Sequence, residues 1–303
     1  MRKDPRVSIG MPIYNGEKFI KIAIESILAQ SFQDFELIIS DNASSDHTQE
    51  ICNAYIKLDS RIHYNRNTEN YGASKNYIRV YKLSRGEYFR WANHDDYFAP
   101  KSLEMCVNIL DTYKSVVLCY PKTTIVDENG NCIRQYEDNL NLRQSSALER
   151  FRSFYQNIGL SNVLYGLIRS DILRKTSLTE NYVGADIVLI AELSLYGEFY
   201  EIPEFMFYRR FHPKSSSSDK SLKVQQEFFD PKTVGKICIR NWKHMCRNVR
   251  SVSRSLLNPE EKLKLYLYIM RKAIRERDHF MLDTITAAKL IYIKNRSYLR
   301  KKT

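Results

Sequence analysis

The sequence has no CxxC pair, no GxGxxG after its first apolar run and no GxxxxGK[ST]. The first absence leaves a zinc knuckle or a thioredoxin-type redox pair without support. The other two do the same for dinucleotide and P-loop sites. Its six cysteines, Cys52, Cys106, Cys119, Cys132, Cys238 and Cys246, are scattered, as reduced cysteines of a cytosolic protein are. No apolar stretch approaches the roughly 18 residues of a spanning helix. The opening MRKDPRVSIGMPIYNGEKF lacks the apolar run of a secretory signal, so none is expected. Glycine is scarce at 10 residues, against 21 tyrosines and 14 phenylalanines. Such aromatics serve core packing, sugar stacking or an interfacial surface, and composition does not separate the three.

What is present describes a soluble globular chain: 303 residues, 43% hydrophobic and 27% charged. That is one large domain with an extension, or two modest domains. The net charge of +12 is unevenly placed. From Lys232 onward there are 19 Lys and Arg against 5 Asp and Glu, whereas the preceding residues hold 28 against 30. Basicity therefore belongs to the C-terminal part.

Residues 6–13 (RVSIGMPI) read as a strand ended by a turn. Residues 17–29 carry Phe19, Ile20, Ala23, Ile24, Ile27 and Leu28 at helical spacing. Short apolar runs at 35–40 and 87–92 predict buried strands, with a weaker strand at 61–65 and a helix at 73–83. Further on, helices are expected near 100–110, 148–155 and 187–195. Extended segments are expected at 116–120, 163–168 and 198–210, and a loop at 213–218. From Lys220 the chain reads as helices. Short strand–helix units imply a parallel sheet covered on both faces, whose ligands gather at the carboxyl ends of the strands. The polar clusters Tyr14-Asn15, Asp41-Asn42 and Asn93-His94-Asp95-Asp96 all fall just after predicted strands.

Each polar group has two readings. Asp41 suits a ribose or base contact, or a turn and helix cap. Asp95 and Asp96 are adjacent carboxylates whose repulsion a divalent cation and diphosphate oxygens would relieve, unless they form an exposed cap ahead of the helix near Pro100. Asp186 begins a predicted helix, as an N-cap or as a general base. Arg209, Arg210 and His212 end an aromatic strand, where they either pair with phosphate oxygens or form a solvated edge.

Together these motifs resemble a family 2 glycosyltransferase with the GT-A fold, over about residues 5–213. The resemblance rests on an ordered series: Pro12-Ile13-Tyr14-Asn15; Ser26 with Gln30; residues 41–46 (DNASSD) with Thr48; residues 70–76 (NYGASKN); Gly86; Asn93-His94-Asp95-Asp96 with Pro100. It implies an α/β, Rossmann-related, mostly parallel sheet flanked by helices, with a GT-A-like domain over 1–219 and a basic helical extension over 220–303. It implies that Pro12, Tyr14 and Asp41 contact the nucleoside, most often uridine. Arg66 and the segment containing Asn70 and Lys75 would line the nucleotide side. The family's Asp-x-Asp-Asp aligns with Asn93-His94-Asp95-Asp96, which gives Asp95 the metal-proximal role for Mg2+ or Mn2+ and puts Asn93 in place of an acid. Arg210 and His212 resemble the late motif near the donor phosphates. Ala185-Asp186 aligns with a Glu-Asp base motif, making Asp186 the base of an inverting transfer.

The implied partners are a nucleotide-sugar donor and a glycan or lipid-linked glycan acceptor in cell-surface polysaccharide synthesis. The alternative is a non-catalytic nucleotide- or glycan-binding module. For the extension, three partners come into question: an anionic membrane surface, a structural or oligomer contact, and nucleic acid. Basic residues spread over several helices disfavour the last. The terminal Ala287, Ala288, Leu290, Ile291, Tyr292, Ile293, Tyr298 and Leu299, beside Lys289, Lys294, Arg296, Arg300, Lys301 and Lys302, permit anchoring near lipid headgroups. A cytoplasmic enzyme, peripheral at the inner face of the plasma membrane, is the expectation.

Overall fold

The computed structural model describes residues 4–213, 215 and 221–300. Most of the predicted loop at 213–218, and the terminal side chains from Ile293 onward, lie outside the described residues.

Strands β1 (Val7–Ile13) and β2 (Phe35–Asp41) are buried at every position. Continuous burial is what a strand needs when helices cover both sheet faces. With β3 (Ile62–Arg66) and β4 (Tyr88–Trp91) they form a parallel block in the order β3-β2-β1-β4. Helices α1 (Ile20–Leu28), α2 (Thr48–Leu58) and α3 (Ala73–Lys82) make the crossovers. In α1 the buried stripe is Ile20, Ala23, Ile24 and Ile27, as the sequence spacing predicts.

The rest of the sheet is mixed. It comprises β5 (Tyr97–Phe98), β6 (Val116–Val126), β7 (Cys132–Tyr136), β8 (Leu167–Arg169) and β9 (Glu198–Arg210). β8 joins β4 and β6 antiparallel, whereas β9 runs parallel to β6. Helices α4 (Ser102–Thr112), α5 (Ala147–Asn157), the short α6 (Ser170–Leu173) and α7 (Ala185–Tyr196) pack around it. The expected extended run at 163–168 is instead a 3-10 turn, Asn162–Tyr165, followed by the short β8. Ser161 turns the chain at φ 59, and a Cβ at Gly166 would come 2.8 Å from the Cys119 carbonyl oxygen. The chain therefore enters β8 through a close backbone approach that only glycine allows.

Beyond the sheet come α8 (Leu222–Phe229), α9 (Arg240–Arg254), α10 (Pro259–Arg275) and α11 (Arg277–Arg300). Val252, Leu265 and Ile269 enter the same apolar cluster as Phe151, Phe154, Leu189 and Leu193. These helices thus share a core with α5 and α7. Glu192 of α7, fully buried, accepts Arg254 Nη2 at 2.9 Å and both Ser177 N and Oγ. Arg254 itself is half-exposed, so the pair joins a buried carboxylate to a solvated cation at the edge of α9. No helix among the described residues is long and apolar enough to cross a membrane.

Candidate active site

The β1 and β2 ends lie in register at Ile13 and Asp41. Asp41 is fully buried, and its Oδ1 accepts Ser44 N at 2.8 Å. Its Oδ2 accepts the Tyr64 hydroxyl at 2.6 Å and the Arg66 guanidinium, which also reaches the Ser44 carbonyl at 2.7 Å. β3 thus carries both partners of the carboxylate that ends β2, and the charge is compensated. Pro12 is buried within β1, whereas Tyr14 is 45% exposed just past its end. Asn15 (φ 51) and Ala43 (φ 62) bend the two loops, which are stitched by Asn15 N to Ser44 Oγ at 2.8 Å and Ser45 N to Asn15 Oδ1 at 2.8 Å. Asparagine tolerates the left-handed region through local hydrogen bonding.

An asparagine network braces this rim. Asn42 Nδ2 donates to Asn70 Oδ1 at 2.6 Å, and Asn67 Nδ2 donates to Asn42 Oδ1 at 2.9 Å. Asn76 Nδ2 donates to the Ser40 carbonyl at 2.7 Å. Asn70 Oδ1 also accepts Gly72 N at 2.8 Å, so its amide oxygen shapes the loop. Lys75, half-exposed, has Nζ 3.9 Å from Asp230 Oδ2.

After β4 the polar run folds inward. Asp95 Oδ2 is 3.1 Å from His212 Nε2. Asp96 is buried, with Oδ1 accepting Arg210 N at 2.8 Å and Oδ2 accepting Asn93 Nδ2 at 3.0 Å. Asn93 in turn accepts the Tyr77 hydroxyl. Burial would raise Asp95, but the His212 hydrogen bond and the charges of His94 and His212 outweigh it and hold the carboxyl below its ordinary range. Burial, and then the Asp95 charge, push Asp96 up to about 7. The adjacent acids are therefore split into an anion and a carboxyl that holds its proton near neutrality.

Arg210 is buried, and two of its guanidinium nitrogens meet backbone: Nε the Asp95 carbonyl at 3.0 Å, Nη1 the carbonyls of Asp127 and Glu128 at 3.1 and 2.8 Å. It lies 4.8 Å over the Phe19 ring. Its observed work is to hold the Asp95 loop and the turn after β6. Arg209 points elsewhere, with Nη1 on the Leu160 carbonyl at 2.8 Å and on Asn162 Oδ1 at 2.6 Å. Its charge lowers both Asp96 and Asp186. Alternate strand residues face opposite sides, so the pattern of β9 contained this division between neighbouring arginines. The sequence reading grouped the two together, as phosphate partners or a solvated edge.

Asp186 sits in the first turn of α7, after Gly184 in the left-handed region at φ 85. Burial raises its carboxyl above the ordinary range, against hydrogen bonds from the backbone of Ile187 and of Asp186 itself and the charge of Arg209. A carboxylate with raised basicity at a helix start is suited to accept a proton from a hydroxyl.

A parallel βαβ block with acids at its strand ends, joined to a mixed half-sheet, is the architecture of a glycosyltransferase of the GT-A type. Glycosyl transferase family 2 matches residues 8–176. The chain belongs to that family. It is 27% identical over 252 residues to an uncharacterized glycosyltransferase of Methanocaldococcus jannaschii, covering 81% of this chain and 83% of that relative. Of several Rickettsia glycosyltransferases it spans only 21–42% of the length. Among solved structures, residues 1–349 of S. aureus TarS in complex with UDP-GlcNAc superpose with a TM-score of 0.62 at 15% identity, over 92% of this chain and 79% of that one. The mannosyltransferase PcManGT from Pyrobaculum calidifontis, in complex with GDP-Man and Mn2+, gives 0.53 at 13% identity, over 98% and 83%.

Proposed function

We propose that this enzyme transfers a sugar from a UDP-linked donor to a hydroxyl of a glycan or lipid-linked glycan in surface-polysaccharide synthesis, inverting the anomeric carbon. The observation that carries the reading is the Asp95–His212 pair at 3.1 Å, held with buried Asp96 after the end of β4, at the same end of the parallel block as the Asp41 pocket that ends β2. An ionised acid on the phosphate side and the raised Asp186 carboxyl as proton acceptor are the two groups that a single displacement between donor and acceptor requires. Asp41, with Arg66 and Tyr64, forms the floor on which the nucleoside sits, with Pro12, Tyr14, Asn70 and Lys75 around it. Asp186 takes the proton of the acceptor hydroxyl. That oxygen forms the new bond to C1, and the electron pair of the old C1–O bond leaves with the nucleoside diphosphate.

Among the described residues no cluster of three or more His, Cys, Asp or Glu side chains could hold a metal. Mg2+ and Mn2+ nonetheless need only one or two side chains when phosphates and water complete the shell. Ionised Asp95 beside His212 fits that set. Held there, Mg2+ or Mn2+ would supply charge neutralisation for the departing diphosphate. The UDP-GlcNAc of the TarS complex favours uridine, and the GDP-Man and Mn2+ of the archaeal complex keep guanosine as the second donor.

The same reading puts the protein in the cytoplasm, peripheral at an anionic membrane surface. The basic extension, and exposed Trp242, Met281 and Ile285 near Arg277, support it. Purified protein incubated with UDP-, GDP- and dTDP-sugars, with and without manganese, and a broad acceptor mixture tests the transfer. Nucleotide binding with no transfer to any acceptor would instead support a non-catalytic binding module. Co-sedimentation with neutral and anionic vesicles at two salt concentrations tests the membrane. Binding that ignores lipid charge and salt removes the electrostatic attachment.

A further inference from the structure

Residues 180–184, which lead into the helix bearing Asp186, are held along their whole length by the chain beyond residue 220. Glu180 Oε2 meets Arg247 Nη2 at 2.6 Å, and Asn181 Nδ2 donates to Asp230 Oδ2 at 3.0 Å. The Tyr182 ring lies 5.5 Å from that of His244, with Lys243 5.4 Å above it. The Val183 backbone is hydrogen-bonded to the His244 ring. A Cβ on Gly184 would come 3.0 Å from both Cε1 and Nε2 of His244. The helix start and the imidazole edge are therefore in direct contact, with glycine needed both for φ 85 and for the space.

The contact is specific in its chemistry. Burial first, and then the charges of Arg240 and Lys272, hold His244 down to about 4, so the ring is neutral beside the base. Its Nε2 is buried without a hydrogen-bond partner. A polar atom left unsatisfied in a packed position is costly, and this one is kept where it touches the base-bearing turn. The opposite end of the same brace reaches the donor side. Asp230 contacts Lys75, and a Cβ at Gly72 would come 2.8 Å from the Asp230 Cα.

We propose that the C-terminal helices belong to the catalytic apparatus: α9 fixes the turn that presents Asp186, with His244 as the positioning residue. The inference rests on Asp186 being the base. Its physical basis is that a base displaced by about 1 Å loses on the order of 100-fold in rate, while a nucleotide pocket built on other elements is untouched.

The test uses the full-length enzyme in four forms: parent, His244→Ala, Asp186→Asn and the double variant. Nucleoside diphosphate release in the presence of acceptor gives kcat, and titration with UDP and GDP gives donor-side Kd. We expect His244→Ala to lower kcat by about 10- to 100-fold with Kd unchanged. In the Asp186→Asn background it should lower the residual rate no further, because residues acting through one another are not additive. His244→Gln, whose amide can still meet the Val183 carbonyl, should recover part of kcat, and Arg247→Met should show a smaller loss of the same kind. These two variants keep the test decisive where His244→Ala does not fold. Equal losses in both backgrounds, or a rise in Kd matching the fall in kcat, would overturn the positioning role and leave the base assignment intact. Parental kcat in Asp186→Asn would overturn the base assignment itself, and this inference with it.

Discussion

His212 Nε2 lies 3.1 Å from Asp95 Oδ2, although 117 residues separate them in the chain. The contact exists because β9 runs parallel to β6 and reaches the sheet end where β4 also stops. Both side chains are largely buried, and Phe19 packs on the imidazole with ring centroids 5.0 Å apart. An ionised carboxylate and an imidazole held this way need little reorganisation to meet a diphosphate or its cation, which is where electrostatic catalysis gains most.

Replacing Asp95 by Asn should therefore weaken donor binding and abolish any stimulation of turnover by manganese, with kcat falling on the order of 100-fold. Isothermal titration with UDP, with and without Mn2+, and steady-state rates check this. Unchanged affinity and unchanged metal response would remove Asp95 from the phosphate side.

Asp186→Asn tests a different step. It removes the proton acceptor and leaves the Asp41 and Asp95 sites intact, so transfer should fall by about 10²- to 10⁴-fold at constant UDP affinity. Parental kcat at neutral pH would rule out the role.

The parallel block, the α1 stripe and the strand-end clusters were legible in the sequence, because apolar period and polar interruption are local signals. Which partner each polar residue takes was not. Asp41 reads in sequence as a ribose or base contact or as a turn and helix cap, and its compensation by Tyr64 and Arg66 comes from a neighbouring strand. Arg210 reads as a phosphate ligand by motif, and nothing in the sequence shows that its Nε and Nη1 also tie down three carbonyls far away in the chain. His244 had no motif at all, since its contact with Gly184 arises only when α9 packs on α7.

Arg209 offers a test by pH. Burial raises the Asp186 carboxyl, and the Arg209 charge works against that rise. Without the charge, the Asp186 carboxyl should rise further. Because the base acts deprotonated, the acidic limb of the kcat profile in Arg209→Met should then move to higher pH. Arg209→Lys, which keeps the charge, should move it less. A limb that stays in place in both variants shows that the cation does not govern the base.

Asp138 ties stability to pH away from the reacting atoms. It is buried; Oδ1 accepts Asn162 N at 3.2 Å and Oδ2 has no partner. Burial pushes its carboxyl up to about 7, the Glu201 charge adding to the rise while the Asn162 hydrogen bond and the Arg209 charge oppose it. Between the ordinary value of 3.8 and 7 the folded protein thus binds a proton that the unfolded chain has released. By linkage, stability falls as pH rises through that window, and the full cost is present above it. Asp138→Asn keeps an oxygen for Asn162 N and carries no charge at any pH, so it removes this dependence. Thermal unfolding should give nearly equal Tm values for parent and variant near pH 4. The variant's advantage should grow towards pH 8, to at most about 4 kcal/mol for a shift of this size. Parallel Tm curves across that range would mean that the buried carboxyl titrates at its ordinary value, with its unpartnered oxygen reached by water.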